Sequence, residues 1–368
     1  MRKMKILFYV HAMAGGGAER VCNTLANEFS KQGKEVYVST NLERPLNYSF
    51  EKEVHLLNHW EGCRTTRFWS AFRVYRFLRT LFNMRRIAKN IKPDFAIGVM
   101  TDYSVFSVLA LAGLGIPVIA TEHTNVDRMS PFYKRIYKFF YSKAAAVTVL
   151  TRRDLKIWKR QFNNVVCMPN PLSVPQINKK YARQKWVLGV GRVDSIEKGF
   201  DSMVKCWNMI YKKHPDWKLI IAGRCEEEDI ANLCTYLDDG VESQIEFLGF
   251  RSDVYDLMLQ SEVFVLSSRY EGLPMGLMEA MSAGCCCVAF DVITGPSDII
   301  YNNKSGLLVE NQNIDQLAKT LDLVINDDTL RHKLASKAPQ DVDKFSKEKI
   351  LSRWDILFNQ IKKHNRKL

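Results

Sequence analysis

Short apolar runs alternate with longer amphipathic stretches from one end of the chain to the other. Ile6-Leu7-Phe8-Tyr9-Val10 is continuously apolar, the pattern of a strand buried on both faces, and the texture returns at about 35–40, 94–99, 117–121 and 146–150. The stretches between predict helices at about 18–32, 65–91, 103–113, 131–143 and 152–161. From Pro169 to Lys180 the texture breaks. Pro169, Pro171 and Pro175 stand there among Gln176, Asn178, Lys179 and Lys180 and read as a linker. Alternation restarts with Trp186-Val187-Leu188-Gly189-Val190, with further strands at about 217–222, 245–248, 262–267, 285–290 and 307–309, and a long closing helix from about Lys347. Strands alternating with helices predict α/β domains with parallel sheets covered on both faces.

A chain of 368 residues is too long for one ordinary core and fits two domains. Two doubly wound domains would place a ligand at the carboxyl ends of their strands, in the cleft where they face each other.

Composition narrows the setting. No signal peptide is expected, because the apolar run at 6–10 is short and is followed by polar, glycine-rich sequence. Tyr103 to Ala120 is poor in charge but holds Gly113, Gly115 and Pro117 and is too short to span a bilayer, so it reads as a buried helix followed by a strand. The nine cysteines show no disulfide or metal-ligand spacing, and Cys285-Cys286-Cys287 lie together in an apolar strand. Free thiols used as small apolar residues point to a reducing compartment, and a cytoplasmic location is expected.

The formal charge of +13 calls for a partner or a surface explanation. Between Arg64 and Lys92 stand nine Lys or Arg residues and no acidic one, interleaved with Phe68, Trp69, Phe72, Tyr75, Phe77 and Phe82. Such a segment could dock on an anionic membrane surface, bind nucleic acid, or be a helix whose outward face happens to be basic. Membrane contact is favoured, and no nucleic-acid motif accompanies the segment.

Candidate chemistry follows the predicted strands. After the strand ending near Leu266 comes Tyr270-Glu271-Gly272-Leu273-Pro274-Met275-Gly276-Leu277-Met278-Glu279-Ala280. Pro274 stands where a first helical residue would be, so the amides of Gly272, Leu273, Pro274's neighbours and Met275 would open a helix and form an anion site suited to a diphosphate. Glu271 lies just before that helix and Glu279 inside it, placed to take hydroxyls of a sugar and of a ribose. Val190-Gly191-Arg192-Val193-Asp194-Ser195-Ile196-Glu197-Lys198-Gly199 also follows a strand, and its Arg192 and Lys198 could flank a pyrophosphate, one by bidentate bonds and one as a point charge. Between the first strand and helix lies Gly15-Gly16-Gly17-Ala18-Glu19-Arg20, a turn whose glycines allow close backbone approach. It lacks the third glycine of a dinucleotide fingerprint, and Thr40 and Asn41 stand where an acidic residue would follow.

These motifs, in this order, resemble the retaining glycosyltransferases of family 4, which have the GT-B fold: two Rossmann-like doubly wound domains facing a central cleft. The E-x7-E pair at Glu271 and Glu279, Gly191-Arg192 with Lys198-Gly199, and the GG-A-E-R opening carry the resemblance, which covers nearly the whole chain. It implies an acceptor-binding domain over 1–170, a donor-binding domain over 171–349, and a closing helix at about 350–368 that packs back on the first. It also implies that Gly16 and Gly17 approach the donor phosphate, and that Gly223, Phe250 and Arg251, in Ile221-Ala222-Gly223-Arg224 and Leu248-Gly249-Phe250-Arg251, meet a uracil ring. His123, in Thr121-Glu122-His123-Thr124-Asn125, would position the sugar or the departing phosphate, joining Arg192, Lys198 and Glu271 as the catalytic set. Thr294-Gly295-Pro296-Ser297-Asp298 would support the site from behind, with Asp298 where the family more often has Glu.

The activity so implied is transfer of a hexose or N-acetylhexosamine, with retention, from a UDP-sugar to a hydroxyl of a glycan in surface polysaccharide assembly. The acceptor would be linked to a polyprenyl diphosphate, and the enzyme would sit peripherally at the inner face of the cell membrane. No cofactor beyond the donor is expected. Asp341-Val342-Asp343 has the form of a metal-binding D-x-D but sits in a charged late segment that reads as a surface helix, so no metal is expected either. A UDP-sugar epimerase of the same architecture and a non-catalytic glycan- or nucleic-acid-binding protein remain as alternatives.

Overall fold

The computed structural model describes residues 2–60, 71–123, 131–175, 181–194 and 196–365. The chain divides into two compact units, residues 1–171 with 347–368, and residues 172–346. The first unit is built on a parallel sheet of β1 (Lys5–Tyr9), β2 (Glu35–Thr40), β3 (His55–Asn58), β4 (Phe95–Val99), β5 (Val118–Thr121), β6 (Ala146–Val149) and β7 (Val165–Cys167), in the order β3-β2-β1-β4-β5-β6-β7. Its helices are α1 (Gly17–Lys31), α2 (Ala71–Ile91), α3 (Met100–Leu111), α4 (Pro131–Tyr141) and α5 (Arg152–Lys159). β1 lies between β2 and β4, with Leu7 paired to Tyr37 and Ala96. That central place is why Ile6, Leu7, Phe8 and Tyr9 are wholly buried and why their run shows no alternation.

Two edge strands, β3 and β7, were not expected from the sequence. β3 is half exposed along its four residues and β7 is only three residues long, so neither writes a continuous apolar run. α3 starts at Met100, three positions before the predicted start, because the chain turns into the helix directly at the end of β4. Of the predicted basic segment, Ala71–Ile91 forms α2, while Arg64, Arg67, Phe68 and Trp69 lie outside the described residues, as do Thr124, Asn125, Ser195 and linker residues 176–180.

The second unit has six parallel strands, β8 (Gln184–Val190), β9 (Lys218–Ala222), β10 (Ile245–Gly249), β11 (Ser261–Leu266), β12 (Cys286–Asp291) and β13 (Leu307–Glu310), ordered β10-β9-β8-β11-β12-β13. Helices α6 (Phe200–Asn208), α7 (Glu227–Cys234), α8 (Val254–Gln260), α9 (Met275–Ser282), α10 (Pro296–Ile299), α11 (Ile314–Asn326) and α12 (Asp328–Val342) connect and cover them. One core gathers Trp207, Phe200, Val263, Val288 and Phe290 between sheet and helices. Cys285, Cys286 and Cys287 are buried free thiols and serve as small apolar residues at the start of β12. Asp341 and Val342 close α12, where Val342 is buried and Asp343 opens a 3-10 turn. Among the described residues, no helix is long and apolar enough to cross a membrane.

The closing helix α13 (Lys347–Asn365) belongs to the first unit. It lays Phe358 against Phe95, with ring centroids 4.6 Å apart, and against Phe29 at 5.6 Å, while Trp354 meets Phe29 edge-on at 6.1 Å. Ion pairs flank this patch: Lys34 to Asp355 at 2.9 Å and Lys347 to Glu28 at 3.3 Å. The rings carry most of the energy, because exposed pairs contribute little and buried aromatic area contributes much. Trp354→Ala is expected to cost about 3–5 kcal/mol in urea denaturation. Trp354→Phe should cost clearly less, since it keeps a ring and removes an indole N–H that has no hydrogen-bond partner among the described residues.

Candidate functional site

In the second unit the strand order reverses between β8 and β11, which are neighbours. The loops leaving these two strands diverge, and open parallel sheets bind ligands at such a point. Both donor motifs fall here. The loop after β8 carries Arg192 and reaches Lys198 through a 3-10 turn at Ile196–Lys198, and the loop after β11 carries Glu271 and leads into α9. Lys198 Nζ lies 2.7 Å from Glu271 Oε1, in a pair whose carboxylate is only 10% exposed. Two residues 73 positions apart in sequence thus form one charged centre.

Glycines make the approach of the loops possible. A Cβ on Gly223 would fall 1.6 Å from the Gly191 carbonyl oxygen, so the ends of β8 and β9 can lie together only if residue 223 has no side chain. The Lys198 stem packs against Gly191, where an added Cβ would sit 3.3 Å from its carbons. Gly199, left-handed at φ +64, brings the start of α6 so close to the Ser267 carbonyl that a Cβ would approach it to 2.1 Å.

A further device, silent in the sequence, locks the loops together. Arg269 spans both: its guanidinium holds Asp201 by two bonds of 2.8 and 2.7 Å and also donates to the Ile196 carbonyl at 2.8 Å. Its backbone N–H donates to the Glu197 carbonyl at 2.7 Å, and Ser267 Oγ donates to the Lys198 carbonyl at 3.1 Å. Arg269 and Asp201 stand 68 positions apart, and a single bidentate pair writes no local pattern. The pair holds Asp201 below, and Arg269 above, its ordinary pKa range.

The start of α9 differs by one residue from expectation. Pro274 has φ −68 and ψ 105, an extended conformation that makes it the N-cap, and Met275 is the first helical residue. The first intrahelical bond runs from Met278 N–H to the Pro274 carbonyl at 3.2 Å, so the amides of Met275 to Leu277 precede the ladder and belong to the helix's positive end. Leu273 and Pro274 have buried side chains and can offer only backbone. Glu279, fifth in the helix, is buried. Thr294 Oγ1 donates to the Glu271 carbonyl, and a Cβ on Gly295 would fall 2.6 Å from Pro274 Cδ, so Thr294-Gly295-Pro296 braces this turn from behind.

Other predicted residues are arranged differently. Arg192 is exposed on its loop. Phe250 is 79% exposed, and Arg251 is held by Asp253 through bonds of 2.8 and 2.6 Å, so neither is pre-set against a ring. In the first unit the glycine turn is a helix cap: Glu19 Oε2 takes the amides of Gly15 at 2.8 Å and Gly16 at 3.1 Å, which occupies the Gly16 N–H and leaves Gly17 as the first residue of α1. His123 lines a small cavity of about 20 Å³ with Thr121, Cys22, Met168, Asn170 and Trp354. Thr121 donates its hydroxyl proton to the Gly98 carbonyl at 3.0 Å and so accepts from His123 Nε2 at 3.3 Å. Burial pushes His123 down to about 4, which makes it a neutral hydrogen-bonding group near pH 7 rather than a cation. Glu122 beside it is clamped by Tyr141 and by Thr101, the latter at 2.8 Å, and this fixes the exit of β5.

With the geometry in place, comparison with known proteins gives a consistent picture. Residues 15–174 match the model described as Glycosyltransferase Family 4, and residues 173–341 match Glycosyl transferases group 1. An uncharacterized glycosyltransferase of Haemophilus influenzae is 30% identical over 355 residues, covering 94% of this chain and 97% of that protein. A Campylobacter jejuni GalNAc-alpha-(1->4)-GalNAc-alpha-(1->3)-diNAcBac-PP-undecaprenol alpha-1,4-N-acetyl-D-galactosaminyltransferase is 26% identical, covering 98% of this chain and 99% of that one. Among solved structures, Anabaena HepE in complex with UDP and glucose superimposes with a TM-score of 0.75 at 16% identity, covering 99% of this chain and 100% of that one.

Two glycines separate steric from conformational demand in the site. Gly249, at φ +63, has open space where a Cβ would go, whereas Gly223 has the Gly191 carbonyl. Gly249→Ala is expected to cost about 1 kcal/mol, the price of a left-handed alanine. Gly223→Ala should cost well above that in thermal melting, because backbone has to move.

Proposed function

The chain belongs to glycosyltransferase family 4 and has the GT-B architecture, and from that premise we propose that it transfers a hexose or N-acetylhexosamine, with retention, from a UDP-sugar to a hydroxyl of a lipid-linked glycan in surface polysaccharide assembly. The observation that carries the reading is the Lys198–Glu271 centre at the switch point of the second unit, beside the amide-bearing start of α9. A cation and unpaired helix amides suit the diphosphate of a nucleotide, and a nearly buried carboxylate suits sugar hydroxyls. The HepE neighbour was solved with UDP and glucose, which supports the donor class, and the Campylobacter relative's name includes a PP-undecaprenol glycan, which supports the acceptor class.

In this reading Arg192, Lys198 and the first amides of α9 meet the charge that develops on UDP as the C1–oxygen bond breaks, with no metal ion. Glu271 orients sugar hydroxyls and Glu279 those of the ribose. The acceptor oxygen bonds to C1 on the face that UDP leaves, and the departing phosphate takes the acceptor proton. His123, being neutral, contributes a hydrogen bond rather than charge.

Calorimetric titration with UDP, with GDP and NAD in parallel, tests the donor site. UDP should bind selectively, and Glu279→Ala should weaken it by ~1.5–3 kcal/mol, the value of hydrogen bonds to a charged group; unchanged affinity would remove Glu279 from the site. Turnover should survive a metal chelator, and a UDP-sugar converted without any acceptor would favour an epimerase instead.

The same proposal places the protein peripherally on an anionic membrane. Along α2, Val74, Leu78 and Phe82 form an exposed apolar line at i, i+4 spacing, accompanied by exposed Arg79, Arg86 and Lys89. Sedimentation with phosphatidylglycerol vesicles should carry the protein down at low salt. Release is expected with rising salt and in Leu78→Ser/Phe82→Ser, while equal sedimentation of that variant would exclude the α2 face.

A further inference from the structure

A cavity of about 770 Å³ lies in the first unit at the amino ends of β5 and β6, between the last turns of α3 and α4. Open parallel sheets bind their substrates at the opposite, carboxyl ends, so this cavity stands outside the transfer chemistry. Val108, Leu111, Ile116, Phe139 and Phe140 are in its wall, and among its lining residues only Lys143 carries a polar side chain. Phe139 is 62% exposed, with the Phe140 ring edge-on to it at 5.2 Å, so the mouth is open apolar surface.

The backbone of the wall is already paired. The Pro117 carbonyl accepts from Ala96 N–H at 3.0 Å, that of Val118 from Ala145 N–H at 2.8 Å, and that of Leu111 from Leu114 N–H at 3.0 Å. Arg85, reaching across from α2, donates to the carbonyls of Ala110 at 2.8 Å and Ala112 at 2.7 Å. Gly113 and Gly115 turn the chain at φ +74 and +67, and a Cβ on either would meet nothing within 4 Å, so these positions leave the opening uncovered. A ligand that needs hydrogen bonds gains few from such walls, whereas a hydrocarbon chain has no polar group to satisfy.

Charge decides the head group. α2 and α4 hold no acidic residue, and α3 has only Asp102, in its first turn at the far end. Arg135, Lys138 and Lys143 are exposed along α4 and the turn after it, as are Arg86 and Lys89 on α2. Lys143 Nζ stands 6.0 Å from the centroid of the Phe139 ring, at the mouth. The C-terminal end of a helix disfavours an anion, and Arg85 offsets this at α3 by covering its last carbonyls. A second copy of the chain would bring the same cations against this rim. The exposed apolar line of α2 ends at Phe82, one turn before Arg85, so the surface offered to a bilayer continues toward the cavity.

We propose that this cavity takes one acyl chain of an anionic phospholipid, whose phosphate is held by Lys143. The choice of a bilayer lipid rests on the peripheral placement proposed above; the cavity itself is tested with monomeric lipid and no membrane. Calorimetric titration of the full chain with palmitoyl lysophosphatidylglycerol, below its critical micelle concentration, should show binding of a single lipid, tighter than that of palmitoyl lysophosphatidylcholine. Lys143→Glu should weaken it at least about tenfold, as expected for a lost charge-assisted contact. Ala112→Trp should block it by filling the mouth, since residue 112 is exposed in the rim and its φ −51 and ψ 129 suit any side chain. Both variants should keep the wild-type melting temperature and UDP affinity, and Leu78→Ser/Phe82→Ser should keep the monomeric lipid. Unchanged binding in Ala112→Trp, equal affinity for the choline lipid, or no binding would overturn the site. Palmitate bound in preference to either lysolipid would assign the cavity to a free fatty acid, and a dimer dissociated by lipid would assign it to a second copy, and each would overturn the proposal. Wild-type protein that binds the monomeric lipid but ignores phosphatidylglycerol vesicles would instead overturn the peripheral placement and leave the lipid site standing.

Discussion

Bringing Lys198 to Glu271 requires two loops from neighbouring parallel strands to turn back over the same sheet edge within hydrogen-bonding distance. Parallel strands do not arrange this unaided, because each loop must leave its strand toward a different helix layer. The second unit solves it with backbone: Gly223 lets the ends of β8 and β9 touch, Gly191 leaves room for the Lys198 stem, and Gly199 lets the start of α6 touch the exit of β11. Arg269 then fixes the result by binding a side chain on α6 and carbonyls of the 3-10 turn at once. The charged centre therefore depends on a rigid frame whose cost is met by ordinary sheet burial elsewhere in the unit.

What the sequence discloses and what it conceals divide along the same physical line. Central strands such as β1 and β11 are legible because burial on both faces removes every polar residue from the run. Edge strands β3 and β7 are not, since one side faces less of the protein and the run is short or mixed. In the site, Arg192, Lys198, Glu271 and Glu279 stand beside glycines and strand ends that mark them. Arg269 and Asp201 are hidden because their pairing is tertiary, and a hydrogen-bonded chain from Ser39 through His59 and Tyr103 to His11 is hidden for the same reason, drawing on four separate segments. The glycine run at 15–17 shows the opposite hazard: its pattern resembles a phosphate loop, yet two of its amides are spent on Glu19.

The two units treat charge differently at their strand ends. The second keeps an ion pair and a helix start, which together tolerate an arriving anion because the cation can exchange partners. In the first unit, burial holds His59 and His123 uncharged and keeps Tyr103 from ionising.

The helix α13 gives the molecule an order of assembly. Phe29 and Phe95 are made before the second unit, yet the rings that cover them, Trp354 and Phe358, are made after it. The second unit is one continuous stretch, residues 172–346, and all of it emerges from the ribosome before those rings do. Its sheet can close while the first unit still shows an uncovered aromatic patch. A nascent chain stalled before residue 347 would carry one complete unit and one with an uncovered aromatic patch, so loss of α13 would be felt as aggregation of the unit begun first.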